Sequence, residues 1–452
     1  MHRRSFLQRS AAALAVASVG PWARAAAATR PPNFVVVLCD DLGFGDIGAF
    51  GAKRVRTPNI DRIAHEGTVL TDYYAAANLC TPSRAGLLTG RYAIRTGLAV
   101  GVIMQNDTRG LAQSEVTIAE ALKPEYATAL IGKWHLGHIA PYWPPTTQGF
   151  DLFFGLPYSH DMKPLSLYKA NGPGVEFTRE DVDYPQLQQR FYRRAERFIE
   201  EHRDRPFFLE LALSAPHLPN YAHSPYEGHS HGGAYGDVVE EIDAIIGTLV
   251  AKLKALALEH NTLLIFTSDN GPWYEGSAGP LRQRKGDAGY DGGYRVPFIV
   301  WQPSVVPAGR TVRSIAMAID VLPTLCRMAG KPLPSGVTLD GVDITDVLLR
   351  GGASPHDQLV LFNNEDVSAI RTQRWKYVGA TYYRGAYVNL EGRGYPQLYD
   401  MQTDEPENYS VAARYPDVLE DMQRRFRQAE QTFAPFKSKP TQVPLIFPRV
   451  QI

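Results

Sequence analysis

The chain has 452 residues, 44% of them hydrophobic, which is enough to bury a large core and excludes disorder as its default state. Its 47 basic and 47 acidic residues balance to a formal charge of zero, so no basic excess points to nucleic acid or to an anionic membrane as a partner. One large domain followed by a smaller one is expected.

Residues 1–28 carry Arg3, Arg4, Arg9 and Arg24 and no acidic residue, so a chain without them has a formal charge of about −4. A basic start, a weakly apolar run over 11–20 and small residues around Ala23-Arg24-Ala25 predict a secretory signal. The run is too short to span a bilayer, and no membrane span is expected in the mature chain. Arg3-Arg4-Ser5-Phe6-Leu7 resembles a twin-arginine export signal, which predicts passage through the twin-arginine machinery and a periplasmic or secreted protein. Cys39, Cys80 and Cys326 are odd in number and widely spaced, so no disulfide framework is expected despite export.

Residues 33–39, NFVVVLC, form an unbroken apolar run ending in Asp40-Asp41-Leu42-Gly43, the pattern of a strand buried on both faces. Residues 262–267, TLLIFT, repeat it and end in Ser268-Asp269-Asn270-Gly271. Similar short strands are predicted at 128–131, 207–212 and 298–301, with amphipathic helices over 186–202 and 237–259. Alternation of this kind predicts a doubly wound α/β catalytic domain over 31–350. Ligands of such sheets gather at the carboxyl ends of the strands, where Asp40, Asp41, Asp269 and Asn270 are expected. Residues 351–355 read as a linker to a C-terminal unit, 355–452. There, strand-like pieces at 359–362, 369–378 and 397–399 and a charged helix near 417–431 predict a small antiparallel sheet with one helix.

The sharpest motif is Cys80-Thr81-Pro82-Ser83-Arg84-Ala85-Gly86-Leu87-Leu88-Thr89-Gly90-Arg91. Thr81 is placed to cap a helix that starts at Pro82 and ends at Gly90, with Cys80 just ahead of it. A helix N-terminus favours an anion beside Cys80, and Arg84 can add a fork of donors for a tetrahedral oxyanion. The residues alone predict an activated cysteine at an anion site.

This segment is similar to the C-x-P-x-R signature of the formylglycine-dependent sulfatase family, including the L-T-G-R that follows. Further family motifs appear in order: Cys39-Asp40-Asp41-Leu42-Gly43, Gly132-Lys133-Trp134-His135-Leu136-Gly137, Pro157-Tyr158-Ser159-His160-Asp161, Ala215-Pro216-His217, Ser268-Asp269-Asn270-Gly271 and Lys285-Gly286. The chain most resembles the arylsulfatase A and N-acetylgalactosamine-6-sulfatase branch. That resemblance implies an alkaline-phosphatase-like fold: a large, mostly parallel central sheet flanked by helices, with a smaller C-terminal antiparallel sheet and helix. It also implies that a separate formylglycine-generating enzyme converts Cys80 to an aldehyde before folding.

Asp40, Asp41, Asp269 and Asn270 are hard oxygen donors, which favour Ca²⁺ or Mg²⁺ over zinc. The family implies Ca²⁺, with Cys80 completing the site. Arg84, within the first turn of the helix, is placed to hold the oxyanion or to steady the nucleophile; the resemblance assigns Asp269 to deprotonation of the nucleophile and His135 to the second hydroxyl of the hydrated aldehyde. It assigns His217 and Lys285 to the leaving oxygen, and Lys133, Ser159, His217 and Lys285 to the sulfate ester. The substrate class is then a sulfated small molecule or glycan. A phosphonate monoester hydrolase or phosphodiesterase of the same superfamily is the nearest rival, and an inactive sulfoglycan-binding protein a more distant one. His138 and His160 are expected to be local packing or loop residues, and His223, His229 and His231 to lie on a loop near the substrate. Tyr382, Tyr383, Tyr387 and Tyr395 suit either strand packing or stacking on a ring.

Overall fold

The uninterrupted apolar run after Pro32 forms the strand Asn33–Asp40, every residue of it buried. Phe34, Val36 and Leu38 join one hydrophobic cluster and Val35, Val37 and Cys39 the other, so the strand is covered on both faces. It pairs in parallel with Phe207–Pro216 on one side and Thr262–Ser268 on the other. Ala127–Lys133 and Leu152–Leu156 continue the parallel run. Phe298–Trp301 instead runs antiparallel to Thr262–Ser268, and Leu167–Asn171 and Thr178–Glu180 are antiparallel at the far edge. The ten-stranded sheet of this computed structural model is therefore mixed, with a central run of parallel pairs and one further parallel pair, Arg310–Val312 with Thr68–Leu70, at the other edge. The structure describes residues 30–172, 176–383 and 386–438; the export signal expected over 1–28 lies outside them.

Leu187–Glu201 and Gly233–Ala255 lay apolar stripes on one face of the sheet. The second helix starts and stops four residues before the span predicted for it. Ala257 adopts φ 54° and the Leu258 amide donates to the Leu253 carbonyl, a left-handed closure that no glycine signals in the sequence. The helix Cys80–Thr89 packs on the other face through Ala85, Leu87 and Leu88, with all ten residues buried. Gly90, at φ 67°, ends it as expected. Among the described residues no helix is long and apolar enough to cross a membrane.

The small sheet has the order Leu359–Asn363, Asp366–Arg371, Trp375–Val378, Gln397–Asp400, antiparallel throughout, with the helix Pro416–Phe433 against it. Residues 369–378 are thus two strands rather than one. The Thr372 amide donates to the Trp375 carbonyl across a tight turn whose Gln373-Arg374 centre carries no typical turn residue. Buried charges tie this sheet to earlier parts of the chain: Arg371 donates to Asp72 (2.8 Å) and Tyr74 (2.9 Å), and Lys376 lies between Asp291 (2.5 Å) and Glu407 (2.7 Å). Removing one partner of such a pair strands a buried charge, at a cost of about 3–5 kcal/mol.

Candidate active site

The parallel strands deliver their last residues to one rim. Successive side chains of a strand point to opposite faces, yet Asp40 and Asp41 both reach the same sulfur. The reason is local: Asp41 adopts φ 65°, which folds the second carboxylate back beside the first. Cys80 Sγ then lies 3.4 Å from Asp40 Oδ1 and 3.9 Å from Asp41 Oδ1. Asp269, brought from the neighbouring strand end, accepts from the Asp41 amide. Ligand atoms of Asp40, Asp41, Cys80 and Asp269 all fall within 4.8 Å of one another.

Three cations ring these three carboxylates. Arg84 forks onto Asp269 Oδ2 through Nε (2.9 Å) and Nη2 (2.8 Å) and donates to the Lys133 carbonyl. Lys133, fully buried, donates to Asp40 Oδ2 (2.6 Å) and Ser159 Oγ (3.1 Å). Lys285 donates to Asp41 Oδ2 at 2.7 Å. Gly132 makes the Lys133 exit possible: at φ 121°, any Cβ there would stand 1.7 Å from the Ala212 carbonyl oxygen. Burial pushes Asp40 up, but Lys133, His217 and Arg84 hold it well below the usual carboxylate range. Asp269 is pushed up to about 6 by burial, with Arg84 pulling it down and Asp40 adding to the rise.

Cys80 is the first residue of its helix rather than the residue ahead of it, and Thr81 is not its cap. Thr81 Oγ1 instead donates to the His135 carbonyl and accepts from the Ile103 amide, tying the helix to the His135 segment. The expectation of an activated thiol is also corrected. Burial, reinforced by Asp269 and Asp40, raises the Cys80 thiol well above its ordinary range despite Lys133 and Lys285. An unmodified sulfur here stays protonated.

The two histidines present different nitrogens. His135, at φ 62°, places Nε2 2.9 Å from the Ile103 carbonyl. A carbonyl only accepts, so Nε2 carries the hydrogen and Nδ1 is the basic atom; Nδ1 is buried with no partner among the described residues. Burial, with Lys133 and Arg84, lowers the His135 pKa well below the usual range and keeps the ring neutral. His217 places Nδ1 2.6 Å from the Leu218 carbonyl, leaving Nε2 toward Asp41 Oδ2 at 3.6 Å. His160 packs edge-on against His217 at 5.7 Å and meets the Pro219 carbonyl, more intimately than a loop residue would. His138 meets the Gln105 carbonyl. His223 meets Gln186 on the loop that follows His217, and with His229 and His231 forms no metal-ligand cluster among the described residues. Tyr382 pairs edge-on with Tyr387 across a hairpin, and Tyr395 is exposed.

Asn270 is the fourth oxygen donor. Its Nδ2 donates to Asp41 Oδ1 (2.7 Å) and the Gly271 carbonyl, which leaves Oδ1 buried with no partner among the described residues. Such an oxygen beside three carboxylates suits a hard divalent cation.

Sequence reasoning missed Glu210. It lies in the sheet between Val36 and Leu130, fully buried, with Oε2 unpaired among the described residues. Burial pushes its carboxyl from 4.5 up to about 7, against the pull of Arg84. The folded state thus disfavours the anion, and stability present below pH 4.5 is lost as pH rises through about 7. Glu210→Gln is expected to stabilise the fold at pH 8 by about 3 kcal/mol and far less at pH 5. Thermal melts at the two pH values check this, and an equal shift at both would refute it.

The family model described as Sulfatase matches residues 32–331. Arylsulfatase A of Homo sapiens is 36% identical, the alignment covering 93% of this chain and 90% of the relative. N-acetylgalactosamine-6-sulfatase of Canis lupus familiaris is 35% identical over 78% of this chain and 72% of the relative. Among solved structures, the PsFucS1 sulfatase from Pseudoalteromonas sp. superposes with a TM-score of 0.81 at 30% identity, covering 93% of this chain and 92% of the other. A phosphonate monoester hydrolase of Agrobacterium radiobacter shares the fold, with a TM-score of 0.61 at 21% identity over 89% of this chain and 96% of the other.

Proposed function

Because the chain belongs to the sulfatase family, and so among the sulfuric ester hydrolases, we propose that it hydrolyses sulfate monoesters of aryl alcohols or sugars through a formylglycine formed from Cys80. The observation that carries this reading is Cys80 Sγ at a helix start within 4.8 Å of three carboxylates, inside a ring of Arg84, Lys133 and Lys285. The raised thiol pKa supports it further, since cysteine itself would be a poor nucleophile there. Asp40, Asp41, Asp269 and Asn270 fit a calcium ion, with magnesium as the alternative; the unpaired Asn270 Oδ1 and the all-oxygen donor set favour it over zinc.

A cation held by Asp40, Asp41, Asp269 and Asn270 would supply Lewis acidity at the sulfate oxygens and at the nucleophilic hydroxyl. A hydrated aldehyde at position 80 would supply two hydroxyls on one carbon, one to attack sulfur with loss of the alcohol and one whose deprotonation would re-form the aldehyde and expel sulfate. Lys133, Lys285 and Ser159 line the sulfate position and offset its charge. Arg84 holds Asp269 in place to take the proton of the attacking hydroxyl. His217, with Nδ1 fixed by the Leu218 carbonyl, donates from Nε2 to the leaving oxygen, assisted by Lys285. His135 takes the second proton at Nδ1. Conversion of Cys80 in the cytoplasm followed by twin-arginine export to the periplasm or the outside is consistent with the sequence of residues 1–28.

Two measurements test the reading. Mass spectrometry of the peptide containing Cys80 is expected to show an aldehyde in place of the thiol. Nitrophenyl sulfate is expected to turn over faster than a nitrophenyl phosphonate monoester. Faster phosphonate turnover would favour the phosphonate hydrolase reading.

A further inference from the structure

The helix Leu187–Glu201 segregates its charges in a way the active site does not explain. Arg190, Arg193, Arg194 and Arg197 follow one another at three- and four-residue spacing, which places them on one face. They line a groove of about 310 Å³, together with Lys169 of the edge strand Leu167–Asn171, Phe154 and Glu201. The lining therefore holds five cations and one carboxylate, in a chain whose formal charge is zero. The acids of the same helix do not relieve this: Glu196 and Glu200 are both held by Lys252 of the neighbouring helix. Arg190 pairs with Glu180, and Arg194 reaches Glu201 at 3.4 Å. Lys169, Arg193 and Arg197 are exposed and have no ion-pair partner among the described residues. The Arg194 pKa is lowered by burial and by the Arg197 charge beside it, against the pull of Glu201.

We propose that this groove binds a stretch of sulfated polysaccharide remote from the ester being cleaved, and so holds a polymeric substrate on the enzyme. The assignment of the ligand rests on the sulfatase reading. Four of the five cations are arginines, whose planar forks match the paired oxygens of sulfate groups, where a compact ammonium would serve any anion. The helix that carries these arginines also begins beside His217. Leu187 and Gln188 line a small cavity with His217, Arg190 follows within a turn, and Arg197 lies about 10 Å further along the axis. A chain extending from His217 along this helix would meet the arginines in succession.

Titration of the full chain with heparin, a densely sulfated polysaccharide, tests this. Binding is expected to weaken as salt rises, and the double variant Arg193→Gln, Arg197→Gln to bind about tenfold more weakly at about 0.1 M salt. Turnover of nitrophenyl sulfate by that variant should stay within about twofold of the parent, because neither residue touches the site and glutamine keeps the helix. Equal heparin affinity of parent and variant, or tighter binding of a single-stranded DNA oligomer than of heparin, would overturn the proposal. Loss of nitrophenyl sulfate turnover in the parent itself would instead sink the sulfatase reading, and the heparin comparison would still report on the groove.

Discussion

Cys80→Ala is expected to lower nitrophenyl sulfate turnover by at least about 10⁴-fold while the fold persists. The loss is large because the residue at position 80 supplies the nucleophile, and no neighbour replaces it: Thr81 is spent between the His135 carbonyl and the Ile103 amide. The structural cost is small. Sγ gives only long contacts to Asp40 and Asp41, and truncation to alanine suits a helical residue, so about 1 kcal/mol is expected. Circular dichroism and a thermal melt alongside the assay separate the two effects. Cys80→Ser sharpens the test. A lone hydroxyl can attack sulfur once but has no geminal partner through which to expel sulfate. A burst without steady turnover is therefore expected, and steady turnover by the serine variant would refute the two-hydroxyl route.

Chelation is expected to produce the second large effect, a loss of activity of at least about 100-fold with a lower melting temperature. Asp40, Asp41 and Asp269 come from two strand ends, and three cations hold them together. A divalent ion that binds only the folded protein adds about 2.7 kcal/mol when present at a hundred times its dissociation constant. Its removal leaves three carboxylates with Asn270 Oδ1 among them, and Asp269 with a pKa already pushed up to about 6. Calcium added back should restore both activity and melting temperature, with magnesium as the comparison. Full activity of metal-free protein would refute the cation assignment.

Much of the architecture was legible because the signals were local. Residues 33–39 and 262–267 alternate nowhere between apolar and polar, and strands read that way are buried on both faces, as Asn33–Asp40 and Thr262–Ser268 are. The motifs around Cys80, Asp40 and Lys133 could likewise be placed at strand and helix ends. What escaped were features set by partners distant in the chain. The antiparallel run of Phe298–Trp301 depends on which strand lies beside it, since an apolar tetrapeptide looks the same in either direction. Glu210 reads as an ordinary acid within a strand until Val36 and Leu130 are found on either side of it. The split at residues 372–374 and the end of Gly233–Ala255 failed for a different reason: each turns on residues without turn propensity, held by the hydrogen bonds around them.

By itself the sequence determined the chemistry available to this protein: a cysteine at a helix start, hard oxygen donors at strand ends, two histidines and three basic residues, all in motifs of one family. Residue type and short-range spacing suffice for that, because donor atoms, charge and helix starts are local properties. Only the tertiary structure decided how those groups act. It turned Asp41 back beside Asp40 through a left-handed backbone, left Nδ1 of His135 as the free base, and raised the Cys80 thiol by burial among carboxylates. It also gathered a helix face of arginines and a strand lysine into one groove. These outcomes depend on burial and on contacts between segments up to 244 residues apart, such as Asp41 and Lys285, and neither is a property of any local stretch of chain.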